Sequence, residues 1–248
     1  MEIKILEDRL QNSYLGDKNI GSIVKKFIYS NVIRYSERHN LKEDYDLKYN
    51  KKHGEYKEYY NGQLSTQYTY KEGEEDGEYK EWYYNGVLFI QCFYKDGKEE
   101  GEYKKWYSNG QLAMQHAYKE GKEEGECKEW FENGQMKELY YYQDGKLNGK
   151  YKIWHNDGQL YALYFYKHGK LNGKYKIWHD NGLLEYEYRL KHGKLNGKYK
   201  IWYEHGLLEY ECYYKKDKLH GDAKEWSEEG VLTSHRIYKK GEEVKRIV

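Results

Sequence analysis

Two pairs of histidines recur at a spacing of 24 residues: His155 and His179 each follow a tryptophan, and His168 and His192 each precede a glycine. Imidazoles at a fixed spacing invite a zinc reading. In a repeat with two strands per unit, however, equivalent positions lie about 9 to 10 Å apart, whereas zinc holds each ligand at about 2.0 to 2.1 Å. The segment HGKLNGKYKIW stands at 168 and again at 192, so duplication accounts for the spacing and no metal ligand is expected. Cys92, Cys127 and Cys212 are odd in number and lack C-x-x-C spacing, which argues against a disulfide framework or a zinc knuckle and for a reducing, intracellular setting. Acidic clusters at 73–76, 97–101 and 121–125 resemble cation sites in composition, but they fall in turns, where solvated charge is expected. No Ser, Cys or Asp sits in a nucleophile elbow, and the glycines are spaced for hairpins, not for a phosphate loop. The expectation is therefore a non-enzyme with no catalytic, cofactor-binding or metal-binding residue.

The elements that carry these side chains follow from a strict period. Rows of 24 residues align Gly77, Gly101, Gly125, Gly149, Gly173, Gly197 and Gly221, with Gly54 one residue out of step. Five residues after each of the seven stands Trp82, Trp106, Trp130, Trp154, Trp178, Trp202 or Trp226; the first row has Tyr59. Asn-Gly pairs follow at 61, 85, 109, 133 and 181, the preferred sequence of a two-residue type I′ hairpin, with Asp157-Gly158, His205-Gly206 and Glu229-Gly230 in the remaining rows. A second turn is expected at Gly73, Gly97, Gly121, Gly145, Gly169, Gly193 and Gly241, with Asp217 in the exceptional row, since Asp tolerates the left-handed region.

Between the turns, Leu88 and Tyr94 and their equivalents are six apart, which on a regular strand puts both on one face, while Gln67, Gln91, Glu187 and Glu211 fall on the other. Tyr79 and Trp82 are three apart; a regular strand separates them and a bulge could reunite them. Each unit reads as strand, turn, longer strand, turn. The expected fold is all-β: an elongated single-sheet antiparallel β-hairpin array, roughly 75 to 80 Å long at about 4.8 Å per strand.

Composition agrees with a thin sheet. The chain has 33 Tyr and 7 Trp but 5 Phe and 3 Met, so apolar contact must come from rings with a polar handle. A net charge of +1 argues against nucleic acid as a partner. The charge is nonetheless uneven: residues 54–148 carry 12 positive and 20 negative side chains, net −8, and residues 149–220 carry 14 and 8, net +6, a lopsidedness suited to orienting a partner or to self-association. No stretch approaches the roughly 18 apolar residues of a membrane span and the opening segment lacks a signal-like core, so the chain is expected in the cytoplasm and not secreted.

At the ends, LKEDYDLKYNKKHG reads as a half-unit over 41–53, with Leu41, Glu43, Tyr45 and Leu47 on the core face and Asn50 at the turn. Ile20, Ile23, Val24, Phe27, Ile28, Val32 and Tyr35 recur at helical steps and predict an amphipathic helix over about 18–38, capping the sheet edge within a segment 1–40. Eight units fill 54–244, and 245–248 is expected to close the sheet as a last short strand.

The unit GEYKEWYYNGVLFIQCFYKDGKEE, from Gly77 to Glu100, resembles the MORN-repeat variant family. The resemblance covers Gly54 to about Gly241 and implies a β-hairpin array used for protein contacts or dimerisation, in some members for phosphoinositide binding, with no chemistry of its own. Chains with this variant in bacteria are often termed antitoxin-like, and large DNA viruses of amoebae carry many. The expected function is a protein-interaction or scaffolding surface; the alternatives are a membrane-surface or phosphoinositide-binding module, an antitoxin-like neutralising protein and a carbohydrate-binding surface.

Overall fold

The structure, a computed structural model, describes residues 4–6, 29–36, 41–49 and 51–248. The described residues are all-β, with antiparallel pairing between neighbouring strands and no helix. The chain divides into two compact units, Met1–Lys122 and Glu123–Val248, each an open antiparallel meander. In the first, Lys51–Tyr60 pairs with Gln63–Lys71, which pairs with Glu74–Trp82, and so on in sequence order. In the second the same succession runs from Lys122–Trp130 and Met136–Gln143 to Leu232–Lys239 and Glu242–Arg246.

The amphipathic helix expected over 18–38 is overturned where it can be seen. Tyr29–Ser36 is a strand, paired along its length with Leu41–Lys48 and on its other side with Lys4–Leu6. The segment YSNVIRYS carries Tyr, Val and Ile, which favour a pleated surface, and the edge of Leu41–Lys48 supplies a row of unpaired backbone groups for it to complete. Residues 18–28, 37 and 38 of that expectation, and Asn50, lie outside the described residues. Within the half-unit, Tyr45 is buried while Leu41, Glu43 and Leu47 are half-buried.

The two turns exchange the roles read from the sequence. Asn61 and Gly62 both have positive φ, 51° and 77°, as a type I′ turn demands. In the later units the Asn does not: Gly86 alone is left-handed, its N–H donates to the Tyr83 carbonyl at 2.9 Å, and the Tyr83 N–H donates to the Val87 carbonyl at 2.8 Å. This is a type I turn closed by a left-handed glycine. The cause is one residue of length: Gly54 to Asn61 is seven residues, Gly77 to Asn85 is eight, and the longer loop no longer needs a left-handed Asn. The type I′ geometry sits at the second turn instead, at Asp96-Gly97 (48° and 73°) and its equivalents, including Lys216-Asp217 (52° and 64°). Asp217 thus adopts the left-handed conformation expected of it.

A bulge settles the faces. Glu81 is opposite Ile90 but Trp82 is opposite Leu88, so the extra residue, Phe89, lies on Leu88–Lys95, and the shift recurs where Trp130, Trp154, Trp178, Trp202 and Trp226 pair. Because Glu74–Trp82 is regular from Tyr79 to Trp82, these two residues keep opposite faces. Leu88, directly opposite Trp82, joins the Trp face, whereas Tyr94 contacts the Tyr79 ring at 6.1 Å. The expectation that Leu88 and Tyr94 share a face fails for this reason: the bulge cancels the even spacing.

The Tyr face holds the core as a column of directly opposed residues. In Met1–Lys122 the column runs Val32, Tyr45, Tyr56, Tyr68, Tyr79 and Cys92, with stacked rings 5.5, 4.7 and 5.3 Å apart from Tyr45 to Tyr79. In Glu123–Val248 Cys127 stands opposite Tyr140, and Tyr164, Tyr175, Tyr188 and Tyr199 stack at 4.4, 4.3 and 5.5 Å. Offset stacking at these distances adds about 0.5 to 1.5 kcal/mol per pair beyond area burial. The rings' hydroxyls reach carboxylates: Tyr56 Oη donates to Glu43 Oε1 at 2.9 Å and Tyr140 Oη to Glu129 Oε1 at 2.8 Å.

Candidate interaction surface

The opposite face presents three columns. Nearest the first turn, Trp154, Trp178 and Trp202 stand opposite Leu160, Leu184 and Leu208. Beside them runs a lysine column in each unit, with Lys80 opposite Gln91 and Lys104 opposite Gln115 in Met1–Lys122, and Lys152 opposite Leu163, Lys176 opposite Glu187 and Lys200 opposite Glu211 in Glu123–Val248. The Lys152 and Lys200 ammonium groups lie 5.8 and 6.0 Å from the rings of Trp154 and Trp202, which fixes Trp and Lys on one face.

The third column changes sign. Glu55, Glu78 and Glu102 hold their own lysines, Lys57 at 2.7 Å, Lys80 at 2.6 Å and Lys104 at 2.8 Å, and Glu126 pairs likewise with Lys128. The lysine beside each keeps the Glu78, Glu102 and Glu126 carboxyls below the usual carboxylate range. At the equivalent positions 150, 174 and 198 the residue is lysine. The acid moves to the neighbouring strand, where Glu187 meets Lys176 at 3.3 Å and Glu211 meets Lys200 at 2.6 Å. Phe93 in Met1–Lys122 and Tyr213 in Glu123–Val248, 39% and 42% exposed, occupy equivalent positions of this column in their own units.

The first-turn edge is tied from unit to unit at a spacing of 23 residues. Asn85 Nδ2 donates to the Ser108 carbonyl at 3.0 Å, Asn133 Nδ2 to Asn156 at 2.9 Å, and Tyr83 and Tyr203 hydroxyls to the Trp106 and Trp226 carbonyls at 2.9 and 2.7 Å. The conserved shape of the Asn-Gly pair is thereby explained twice over, since Asn85 Oδ1 also accepts from the Val87 N–H at 3.0 Å.

The residues weighed for chemistry stay apart. His179 Nε2 lies 3.1 Å from the Trp202 carbonyl, in the place its neighbours give to Tyr83 and Tyr203. His155 packs on Tyr161 at 4.9 Å, with Nε2 3.5 Å from Asp180 Oδ1. His168 and His192 take left-handed turn positions, at φ 50° and 52°. Among the described residues no three His, Cys, Asp or Glu side chains are grouped as metal ligands would be. None of the helices that would be needed to cross a membrane is present among the described residues.

Cys92, Cys127 and Cys212 are buried and unpaired within the core column. Burial pushes the thiols of Cys92 and Cys127 up, to about 11 and about 12. Since the thiolate is the nucleophile, a disulfide reagent at pH 8 is expected to label Cys92 about two and Cys127 about three orders of magnitude more slowly in the folded chain than in urea. Native labelling at the unfolded rate would place these thiols outside the core.

The sequence did not single out the cation row at Lys174, Arg189 and Lys198; the available signal was the change from Glu to Lys at one fixed repeat position. Comparison with curated proteins finds no match. The family model described as MORN repeat variant matches residues 75–96, 99–120, 123–144, 147–168 and 195–216. The rows it passes over include those with Tyr59 for Trp and Leu190 for Tyr, yet these form the same paired strands. Strand pairing and column order in the unmatched units follow those of the matched ones, and the five matched units are MORN repeats of the variant type.

Proposed function

We propose that the chain is a non-enzymatic interaction module that binds a protein partner through its Trp and lysine face. MORN repeats are interaction repeats that contact proteins or membranes. The observation that carries the protein reading is the composition of this face. In each of the two units Trp, Leu and lysine form parallel columns, with exposed Phe93 beside them in Met1–Lys122 and exposed Tyr213 in Glu123–Val248, and no second layer of the same unit packs over them among the described residues. Aromatic rings interleaved with lysine stems give large contact area at small entropic cost, as protein hot spots do. The Tyr face is less suited, because its rings are stacked on one another and its hydroxyls are already bound to carboxylates.

A pull-down with the full-length chain, washed at low and at high salt, tests this. The expected result is a protein retained at high salt by the wild type and lost with Lys152→Glu/Lys176→Glu, a variant confined to the exposed face. Retention of lipid alone, released as salt rises, would overturn the reading in favour of a membrane surface.

A further inference from the structure

On the Tyr face of Met1–Lys122 one lysine is set among rings. The Lys52 ammonium nitrogen lies 4.1 Å from the ring centroid of Tyr56, 4.9 Å from that of Tyr70 and 5.2 Å from that of Tyr45. A cation within about 6 Å of a ring centroid is drawn to the negative face of the ring, and three rings around one cation make an aromatic cage. The occupant is peculiar to this row. Two residues before the glycine that opens each later row stands Glu or Leu, from Glu75 and Glu99 to Leu195 and Leu219, and Lys52 alone is a cation. From this cage we infer a binding site for a methylated lysine side chain of a partner protein, with Lys52 as the chain's own competing occupant.

Lys52 fits its own cage poorly, and the misfit points to a different cation. An ammonium group carries three N–H donors and is strongly hydrated. Here rings stand where acceptors would: among the described residues no carboxylate lies within ion-pair distance of the Lys52 ammonium. Loss of water holds Lys52 below the ordinary lysine range, against the pull of Glu43, Glu75 and Glu58. Methylation keeps the charge but removes the donors, so a trimethylammonium group gains the same ring contacts and leaves no N–H unsatisfied.

The surroundings select the ligand further. Tyr56 Oη donates to Glu43 Oε1 at 2.9 Å and Tyr70 Oη donates to Glu75 Oε1 at 3.4 Å, so two of the cage rings hold carboxylates beside it. Glu58, directly opposite Glu43, adds a third. Like charges directly opposed on a sheet destabilise it, and a cation at the cage relieves the pair. Arg34, its guanidinium carbon 5.7 Å from the Tyr45 ring, is the opposing charge. Three carboxylates repel a phosphate, which makes a phosphocholine headgroup a poor occupant, whereas a lysine stem already reaches these rings. Tyr45 and Tyr56 are each 4% exposed, so the ligand enters as the Lys52 side chain swings out.

The test is titration of the full-length chain with Nα-acetyl-Nε-trimethyl-lysine amide, read from the ring-proton resonances of the tyrosines. The expected result is saturable binding to wild type and binding about tenfold tighter to Lys52→Ala, because the internal competitor is gone. The unmethylated lysine amide, and an uncharged isostere with tert-butyl in place of trimethylammonium, should each bind about tenfold more weakly than the trimethylated probe. Equal binding by the isostere would reduce the cage to an apolar patch and overturn the site, as would Lys52→Ala binding no tighter than wild type. Phosphocholine binding as tightly as the trimethylated probe would overturn the assignment to a protein side chain. If Lys52→Ala fails to fold, Tyr70→Ala and Tyr70→Phe give the same decision in the otherwise wild-type chain. The first should weaken binding about tenfold and the second less than about twofold, since only the first removes a ring; equal effects would sink the cage. Lys152 and Lys176, on the Trp face of Glu123–Val248, are untouched by these variants, so loss of the partner bound there and loss of methylammonium binding are separately measurable.

Discussion

Above pH 10 the chain is expected to lose stability steeply and to unfold well before its strands would fail for any other reason. The tyrosines of the core column are held protonated in the folded state. Burial, followed by the hydrogen bond to Glu43, raises Tyr56, and burial, followed by the bond to Glu129, raises Tyr140. Burial likewise pushes Tyr94 up to about 12. The unfolded chain releases these protons near pH 10, so between pH 10 and the folded values the native state binds more protons than the unfolded one. Stability then falls with rising pH, by about 1.4 kcal/mol per unit for each tyrosine that stays protonated. For the buried pair Tyr56 and Tyr140 alone this reaches about 5 kcal/mol by pH 12, comparable with the whole stability of many domains. Urea midpoints measured from pH 8 to 11.5 check it. A flat profile across that range would mean that the column is solvated and its hydroxyls free to ionise in place. Tyr56→Phe/Tyr140→Phe should make the profile shallower, since the groups responsible for the slope are gone.

The second large effect is expected from the centre of the stack. Tyr175 has a ring on either side, Tyr164 at 4.4 Å and Tyr188 at 4.3 Å, with interplanar angles of 20° and 16°. Tyr175→Ala removes two stacked contacts and opens a gap that no second layer can fill, costing about 3 kcal/mol by analogy with large aromatic truncations. Tyr175→Phe keeps both stacks and loses only the hydroxyl, which is hydrogen-bonded to its neighbours, so it should cost about 1 kcal/mol or less. Chemical denaturation of the two variants discriminates. Equal losses would show that the hydroxyl network, and not ring contact, holds the column. The placement of Tyr175 within a repeat array makes the alanine variant informative in another way: each unit is stabilised mainly by its neighbours, so damage should spread to the flanking strands before it reaches distant ones.

Much of this protein was legible from residue spacing alone. The 24-residue period fixed the number and order of hairpins, because glycine and a few polar residues are the ones that adopt positive φ cheaply, and the two-residue alternation required a half-buried strand between them. The second turn, with Asp217 as its exception, followed from the same residues. Four matters needed the tertiary structure. Which turn takes type I′ geometry depends on a single extra residue in the loop around Asn85, and its consequence is decided by backbone hydrogen bonds that no local propensity encodes. The face of Leu88 and Trp82 depends on the bulge at Phe89, which is a property of a strand pair and not of either strand. The segment Tyr29–Ser36 reads as part of a helix by its own periodicity, yet the open edge of Leu41–Lys48 recruits it as a strand, since pairing satisfies backbone groups on both. The cation row at Lys174, Arg189 and Lys198 belongs to the same class: the three residues are 15 and 9 apart in sequence, and only cross-strand register brings their charges side by side.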